Sequence, residues 1–386
     1  MANRCRGWEK RTVSGRCRSH LRCSGNSKCG GNVPAVPAQV NPFSRTAMCG
    51  GNGPGGMRMK WLDKNYHSLD YEMKTRFGEK VYRIALSGGC TCPNRDGTIG
   101  QGGCIFCSAG GSGDFAGDPS ESITQQIIFQ EESLKAKISV KSFIAYFQAY
   151  TNTYAPLQKL RRMFTEAILR PEIRVLSIAT RPDCLPPDVV QLLAELNRIK
   201  PVWVELGLQT MHEDTARLIR RGYPLSVFEK AVRDLRSAGI EVIVHVILSL
   251  PGEDGARVLQ TIGYLDGMDI QGVKLQMLHV LKGTDLAAWY ERQEEGPGPE
   301  LSQLPAIRLL TQQEYVSLVI DCLEHLRPDI VIHRLTGDGP SQLLIAPAWS
   351  ENKRGTLNLL NHEMAAMGRY QGSLYLPKIG LTEQMF

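Results

Sequence analysis

The sequence predicts an α/β fold: a partial (β/α)6 barrel with a C-terminal α+β extension and a disordered N-terminal tail. Three observations support this prediction. Strand-like apolar runs alternate with helical segments along the middle of the chain, which indicates parallel βαβ units. The alternation repeats six times, as in an open, incomplete version of the (β/α) barrel. A long Gly-rich loop with four cysteines follows the first strand, and in barrels the chemistry lies on such loops.

The first 58 residues differ in kind from the rest of the chain. They hold ten Lys and Arg residues against one acidic residue, Glu9, so their net charge is +9, while the whole chain carries +6 and the other 328 residues carry −3. The segment is rich in Gly, Ser, Asn and Pro and lacks apolar periodicity, which predicts disorder. It is a basic, Cys-bearing arm for nucleic acid or metal, a plain disordered tail, or upstream sequence translated from a start codon placed too early. We count none of its cysteines as ligands.

The composition of the whole chain is that of a globular protein with a sizeable core, with 42% apolar and 22% charged residues. No run approaches the ~18 apolar residues of a membrane helix, and no signal peptide opens the chain. The eleven cysteines are unevenly spread, which favours a reducing compartment over a disulfide-bonded protein. We expect a cytoplasmic protein with no membrane segment.

The individual elements follow from apolar patterns and cap signals. The predicted strands of the barrel, which we place at residues 59–290, are Val81–Leu86, Ser142–Tyr150, Arg174–Thr180, Val202–Gln209, Glu241–Ser249 and Gly272–Val280. The predicted helices between them are Ser120–Lys137, Pro156–Leu169, Pro187–Ile199, Glu213–Arg220, Leu225–Ala238 and Ala256–Leu265. A Gly/Pro linker, a helix (Gln312–Leu326), a strand (Ile330–Leu335) and a helical region (Ala348–Met367) form the extension at 291–386.

The loop from Ser87 to Gly117 concentrates the chemistry-bearing residues. Cys104 and Cys107 are two residues apart, so their thiolates converge on one centre, and Cys92 lies twelve positions before Cys104. A structural zinc ion needs four closed ligands, usually in pairs with two to four residues between them, whereas Cys90 and Cys92 have one residue between them. Three thiolates suit a [4Fe–4S] cluster whose fourth iron stays open. The spacing ranks an iron–sulfur site above zinc and above unligated thiols but does not decide among them.

Two motifs in this loop carry a family resemblance. Cys92-Pro-Asn-Arg-Asp-Gly-Thr, followed by Gly102-Gly-Cys104-x-Phe106-Cys107, resembles the cluster loop of the radical S-adenosylmethionine (radical SAM) family. The branch is the one similar to the catalytic subunit of Elongator but without its acetyltransferase domain, and the long gap between the first two cysteines fits it. The resemblance implies a radical-SAM partial barrel, with S-adenosylmethionine as cofactor and the cluster on Cys92, Cys104 and Cys107. It leaves Cys90 as a non-ligand.

The end of the second strand is unusually polar. The resemblance implies that this position clasps the methionine end of the cofactor, which makes Gln148, Tyr150 and Asn152 candidate cofactor-binding residues. None of them matches the common Gly-Gly-Glu signature, and a polar strand end that faces water is the alternative.

On the fourth strand, Trp203, Glu205, Gly207 and Gln209 share one face. A carboxylate and an amide that face into a barrel are costly unless they are bonded. The resemblance implies that Glu205 binds the cofactor ribose and that Gln209 lies nearer the substrate, as a candidate catalytic residue. A buried salt bridge is the alternative.

Three further positions are candidates with ordinary alternatives. By family precedent Arg220 contacts the cofactor carboxylate, although a solvated helix end is an equal alternative. His245, in an apolar strand, is a candidate catalytic residue or a hydrogen-bonded core histidine. Lys274 and Gln276 share one strand face, for contact with a substrate phosphate or for ion pairs in the barrel wall.

The resemblance implies an enzyme in which a reduced cluster cleaves S-adenosylmethionine and the 5′-deoxyadenosyl radical takes hydrogen from a substrate. It points to tRNA at a modified wobble uridine, where some relatives are linked to trimming a carboxymethylaminomethyl group. An electron donor such as flavodoxin or ferredoxin is then required. The alternatives are a radical SAM enzyme acting on a small molecule or peptide, and a zinc-knuckle nucleic-acid-binding protein without catalysis.

Overall fold

A parallel sheet of seven strands is the centre of the part of the chain that the structure describes. In the computed structural model, the described residues are 61–111, 113–135, 139–295, 304–337 and 339–376, within a unit that spans Met57–Phe386. The tail predicted at residues 1–58 lies outside the described residues. The predicted α/β partial barrel is confirmed.

The strands of the sheet follow one another in space in the order of the chain. The described strands are β1 (Tyr82–Leu86), β2 (Phe143–Phe147), β3 (Ile173–Thr180), β4 (Val202–Gln209), β5 (Glu241–Leu248), β6 (Gly272–Met277), β7 (Val280–Leu281), β8 (Val331–Arg334) and β9 (Leu344–Ala346). Strands β7 and β9 form a separate antiparallel pair, and the other seven form the sheet. The seventh strand of the sheet is β8, which pairs in parallel with β6. The sequence predicted six strands in the barrel, and the seventh strand of the sheet comes from the extension.

Helices follow most of the strands, as the alternating pattern predicts. They are α1 (Leu69–Phe77), α2 (Ile123–Lys135), α3 (Leu157–Ile168), α4 (Pro187–Asn197), α5 (Glu213–Leu218), α6 (Leu225–Ser237), α7 (Gly255–Asp266), α8 (Asp285–Glu295), α9 (Gln312–His325) and α10 (Lys353–Ala366). Helix α9 begins with a capping box between Thr311 and Glu314. Among the described helices, none has both the length and the apolar content needed to cross a membrane.

The sheet is strongly curled. The side chains of Tyr146 on β2 and Lys274 on β6 are 3.1 Å apart, although three strands lie between them. In a flat sheet, four inter-strand spacings would separate these positions by roughly 19 Å. The curvature thus creates a barrel interior in which side chains from distant strands meet.

The two faces of the sheet have different contents. Val204, Leu206 and Leu208 of β4 belong to the large apolar core that includes the outer helices. On the opposite face, Trp203 packs with Met73 of α1 in a separate apolar cluster inside the barrel. Helix α1 therefore fills the interior at the amino-terminal end of the strands and leaves the carboxyl-terminal end open.

Candidate active site

A cavity of about 260 Å³ lies where the strands end and the cysteine loop begins. Cys92, Cys104 and Cys107 line it, together with residues at the carboxyl ends of β2 through β6. This is the end of a (β/α) barrel at which active sites lie. The cysteine loop is therefore at the predicted face.

The loop is held by backbone hydrogen bonds and by two of its own side chains rather than by a helix or strand. Within the Cys104–Cys107 turn, the Cys107 N–H donates to the Cys104 carbonyl at 3.0 Å. The Arg95 guanidinium donates to the carbonyls of Cys107 and Ser108 at 2.7 and 2.5 Å. Gly103 has φ +87°, and a Cβ there would meet the Arg95 side chain, so the loop needs glycine at this position.

The three thiols are close enough to influence one another. Burial, together with the neighbouring Cys107 and Cys92, raises the pKa of Cys104 to about 11. Among the described residues, no group of three or more His, Cys, Asp or Glu side chains is already arranged to hold a metal ion. Three cysteine thiols on the lining of one cavity are the donor set that a [4Fe–4S] cluster with one open iron needs.

Cys90 has different surroundings. It is absent from the cavity lining, and its Sγ lies 3.8 Å from the Gly88 carbonyl and 3.9 Å from the Asn152 carbonyl. This position is consistent with the interpretation of Cys90 as a non-ligand.

A tight turn after α5 packs against the cysteine loop. The Asn94 side-chain amide donates to the Arg220 carbonyl at 2.7 Å and lies 3.6 Å from the Cys104 Sγ. The Arg181 guanidinium donates to the Arg221 carbonyl at 2.9 Å. The loop and the turn thus support each other through main-chain carbonyls.

The turn also places the side chains of Arg220 and Arg221 in different surroundings, with Arg221 and not Arg220 on the cavity lining. The Arg220 side chain forms an ion pair with Asp285 and is 42% exposed, so it is not on the cavity lining. Arg221 is on the lining, is 1% exposed, and donates to the Leu208 and Thr210 carbonyls at 3.1 and 2.7 Å. The physical reason is the left-handed backbone at Arg220, φ +56°, which a helix-end pattern does not predict.

The structure brings two of the three β2-end candidates to the cavity. Gln148 and Tyr150 line it. The Tyr150 hydroxyl donates to the Ala109 carbonyl at 2.5 Å, and its ring occupies the space where a Cβ on Gly111 would lie, so it also fixes the loop. Asn152 does not line the cavity. It is fully buried, and its amide donates to the Ala179 carbonyl at 3.1 Å, because the chain turns back onto β3 there.

Glu205 lies on the cavity lining and is 1% exposed. It accepts hydrogen bonds from the Ser177 hydroxyl at 2.6 Å and from His245 Nε2 at 2.7 Å. It also forms ion pairs with Lys274 and, at 3.4 Å, with Arg83. Burial alone would raise its pKa, but these cations hold the pKa well below the usual range. The structure thus contains the buried ion pair that the sequence left as the alternative; contact with the cofactor ribose stays a prediction.

Gln209 also lines the cavity, as its strand face predicts. Its Oε1 has no hydrogen-bond partner in the described part of the protein. Its backbone is left-handed, with φ +67°, as are those of Tyr150 at +57° and Ser249 at +66°. Such conformations in residues other than glycine are strained and cluster at functional sites. Tyr150 after β2 and Gln209 at the end of β4 are thus strained residues on the cavity lining, and Ser249 follows β5 in the same backbone conformation.

His245 is held in its neutral form. Burial, together with the nearby Lys274, lowers its pKa to about 4. Its Nδ1 lies 3.3 Å from the Gln276 amide nitrogen, so we assign Nδ1 as the acceptor and Nε2–H as the donor to Glu205. His245 is thus hydrogen-bonded, as a core histidine would be, and it also lines the cavity. A catalytic role stays a prediction.

Sequence reasoning missed several residues of the site. Arg83 and Tyr146 lie on apolar strands, and Asn94 lies inside the cysteine motif. A lone charge in the apolar run of β1 was the available signal for Arg83. No sequence signal relates Asn94 to the turn at Arg220, because that contact joins positions 126 residues apart.

Comparisons with known proteins agree with this geometry. The Radical SAM superfamily profile matches residues 91–265, and the Radical SAM C-terminal domain matches residues 270–366. YtqA of Bacillus subtilis (strain 168), named an uncharacterized protein, is 44% identical over 313 residues, which cover 81% of this chain and 94% of YtqA.

Two more distant similarities concern larger proteins. The tRNA uridine(34) acetyltransferase of Dehalococcoides mccartyi (strain CBDB1) is 26% identical over 188 residues, 48% of this chain and 38% of that protein. The solved structure of Methanocaldococcus infernus Elp3 with an N-terminal deletion (1–46) matches with a TM-score of 0.54 and 16% identity, over 75% of this chain and 64% of that chain. At that identity the structural likeness shows a shared fold alone.

Proposed function

The chain belongs to the radical SAM superfamily, and we propose that it is a tRNA-modifying member that acts on a wobble uridine. The protein is an enzyme that uses a [4Fe–4S] cluster and S-adenosylmethionine. When both are bound, they would supply the one-electron chemistry that cleaves S-adenosylmethionine reductively and removes a hydrogen atom from the substrate. The residues of this chain hold and orient the cluster and S-adenosylmethionine, and their positions determine which substrate atom can react.

We assign the cluster to Cys92, Cys104 and Cys107, which line one cavity and lie on a loop fixed by Arg95 and Asn94. Gln148 and Tyr150 border the same cavity at the end of β2, and this position supports a contact with the methionine end of the cofactor. The donor of single electrons is a separate protein such as flavodoxin or ferredoxin.

The observation that carries the tRNA assignment is the similarity to a tRNA uridine(34) acetyltransferase over about half of this chain. A feature of the cavity mouth supports it. Phe115 lines the cavity yet is 54% exposed, while its neighbours Ala116 and Gly117 are anchored by backbone hydrogen bonds of 2.8 and 3.0 Å. Proteins that recognise single-stranded RNA stack unpaired bases on such aromatic side chains. The exposed Phe115 ring, on a backbone held by hydrogen bonds, could therefore stack against a base that enters the cavity from an anticodon loop.

The decisive experiment compares the modified nucleosides of total tRNA from cells with and without the gene. We expect one wobble-uridine derivative to accumulate when the gene is deleted and its product to return when the wild-type gene is restored. Restoration with a Cys104→Ala variant, in which the cluster has no third ligand, should leave the precursor in place. Identical nucleoside profiles with and without the gene would refute the tRNA assignment and leave the enzyme class untouched.

Binding measurements separate tRNA from a small-molecule or peptide substrate. Backbone phosphate contacts release counterions, so tRNA affinity should fall steeply as salt rises. A flat salt dependence of tRNA binding would favour the other substrate classes.

A further inference from the structure

The inner wall of the barrel carries a set of buried polar side chains that the chemistry above leaves without a role. We call Tyr146, Glu205, His245 and Lys274, together with Arg83, the floor cluster. The first four line the cavity, and each of the five lies on a different strand. In the strand register His245 is opposite Lys274, and Glu205 contacts both side chains, so the cluster is contiguous across the interior.

Positive charge exceeds negative charge within the floor cluster. Lys274 is 1% exposed; its Nζ forms an ion pair with Glu205 and lies 3.1 Å from the Tyr146 hydroxyl. Arg83 shares the same carboxylate at 3.4 Å, and its Nε has no hydrogen-bond partner in the described part of the protein. Two cations therefore share one carboxylate, which also accepts hydrogen bonds from Ser177 and His245.

This arrangement is unfavourable without a further partner. A buried charge is costly unless a well-placed counter-charge compensates it. Burial and the nearby Arg83 lower the pKa of Lys274 well below its usual value, while the carboxylate of Glu205 opposes that shift. A bound anion would therefore help to keep the ammonium group charged. His245 is neutral, so it neither adds to the imbalance nor relieves it. An added negative group would remove the penalty.

We propose that the floor cluster is a binding site for an oxyanion, a carboxylate or phosphate group carried by the substrate, with Lys274 as its main contact. An ammonium has three N–H donors, and Glu205 and Tyr146 account for two of them, which leaves the third for a ligand. An oxyanion supplies both the acceptor and the missing charge. Arg334 lines the same cavity and adds to the positive potential there. A neutral group would leave the charge imbalance in place, and a cation would be repelled.

This inference rests on the proposed function in one respect, namely that the substrate enters this cavity. It narrows the substrate to a molecule with an acidic group small enough to reach the interior. A carboxylate on a base substituent and a phosphate monoester share this chemistry, so both are tested.

The test measures the thermal stability of the cluster-loaded protein with sodium acetate, with inorganic phosphate, and with acetamide as the neutral counterpart of acetate. A ligand that binds the folded state raises the melting temperature in a saturable way. We expect acetate or phosphate to do so and acetamide not to. Whichever of the two oxyanions binds more tightly identifies the source of the anionic group. Equal effects of acetate and acetamide would overturn the proposal.

Two substitutions give responses of opposite sign. Lys274→Met removes the cation and should weaken oxyanion binding about tenfold or more, the loss expected when a charged hydrogen-bond partner is removed. Glu205→Gln removes the competing carboxylate and should strengthen oxyanion binding. A merely structural network predicts lower stability in both variants with unchanged oxyanion affinity, and that result would also overturn the proposal.

The matched control is Lys230→Met, the same change at an exposed lysine that pairs with Asp234 on α6; it should bind oxyanions as the wild type does. If Lys274→Met fails to fold, Lys274→Arg, which keeps the charge and should retain binding, is compared with Lys274→Gln, which should lose it. Oxyanion binding without any effect of the gene on tRNA would leave the floor site intact and refute the tRNA assignment alone. An effect of the gene on tRNA without oxyanion binding would refute the floor site and leave the tRNA assignment intact.

Discussion

The cysteine loop and the floor cluster face the same cavity but are built in different ways. The loop, Ser87–Gly117, is held by main-chain hydrogen bonds with help from Asn94 and Arg95. The floor cluster is carried by rigid strands and held by buried charges. The loop should therefore tolerate changes in packing but not the loss of a ligand, while the floor should be sensitive to the loss of any charge. Removing one group from each region tests this difference.

The largest effect is expected from Cys104→Ala in the loop. Without the third thiolate the cluster lacks a ligand, and anaerobically reconstituted protein should lose its iron and its brown colour almost completely. Cys90→Ala is the control, because Cys90 lies off the cavity lining; it should keep both. Iron analysis and the visible absorption spectrum measure the outcome. Loss of the cluster in the Cys90 variant, or its retention in the Cys104 variant, would show that the ligands are misassigned.

In the floor cluster, Glu205→Ala should chiefly affect stability. It leaves Lys274 and Arg83 buried without their shared carboxylate, and breaking a buried ion pair in this way costs about 3–5 kcal/mol. The free energy of unfolding from denaturant titration measures the change, while iron content after reconstitution should stay near that of the wild type. Glu195→Ala, which removes an exposed carboxylate paired with Arg161, is the control and should leave stability unchanged. A Glu205 variant as stable as the wild type would mean that the floor charges are not coupled as their geometry indicates.

The same contrast explains what the sequence could and could not predict. Cysteine spacing and strand alternation are properties of neighbouring residues, so the cysteine loop and the parallel barrel were predictable; the assignment of Cys92, Cys104 and Cys107 as cluster ligands stays a prediction. The faces of single strands were predictable too, because side chains alternate: Gln209 and Glu205 do line the cavity. Partnerships across the barrel were not, since the ion pair of Arg83 with Glu205 joins β1 to β4.

Turns account for the predicted residues that lie off the cavity lining. Arg220 and Arg221 are adjacent, the backbone at Arg220 is left-handed, and the side chain on the cavity lining is that of Arg221. Asn152 was grouped with Gln148 and Tyr150 by its place in a polar run. The chain turns between them, so Asn152 bonds to the end of β3 rather than facing the cavity.

A smaller effect in the loop should follow from Asn94→Ala. The Asn94 amide donates to the Arg220 carbonyl and lies next to the Cys104 sulfur. Losing a hydrogen-bond partner next to a metal ligand typically costs about 10- to 100-fold in metal affinity or activity. The rate at which a chelator strips iron should rise accordingly, and the reduction potential should shift. Asn361→Ala, which removes an amide-to-carbonyl bond within α10, is the control. Equal chelation rates for the Asn94 variant and the wild type would assign Asn94 no part in holding the cluster.

The smallest effect concerns the pH dependence that His245 imposes on the floor. Burial lowers its pKa from 6.5 to about 4. Between these two pH values, His245 is protonated in the unfolded chain but neutral in the folded protein. This histidine therefore destabilises the fold progressively as pH falls from about 6.5 to about 4. His245→Gln removes the titrating group, so the loss of stability between pH 7 and pH 5, read from urea midpoints, should be smaller than in the wild type.

The contribution of His245 is separable because the other buried groups stay in place. Burial also lowers the pKa of His333, which gives a loss of the same sign in both proteins and cancels in the comparison. The exposed His362→Gln should keep the full wild-type slope. If His245→Gln lost as much stability on acidification as the wild type, the pKa of His245 would be the same in the folded and the unfolded chain. Burial would then not hold His245 neutral, and the floor would gain a positive charge as the pH falls through the ordinary histidine pKa.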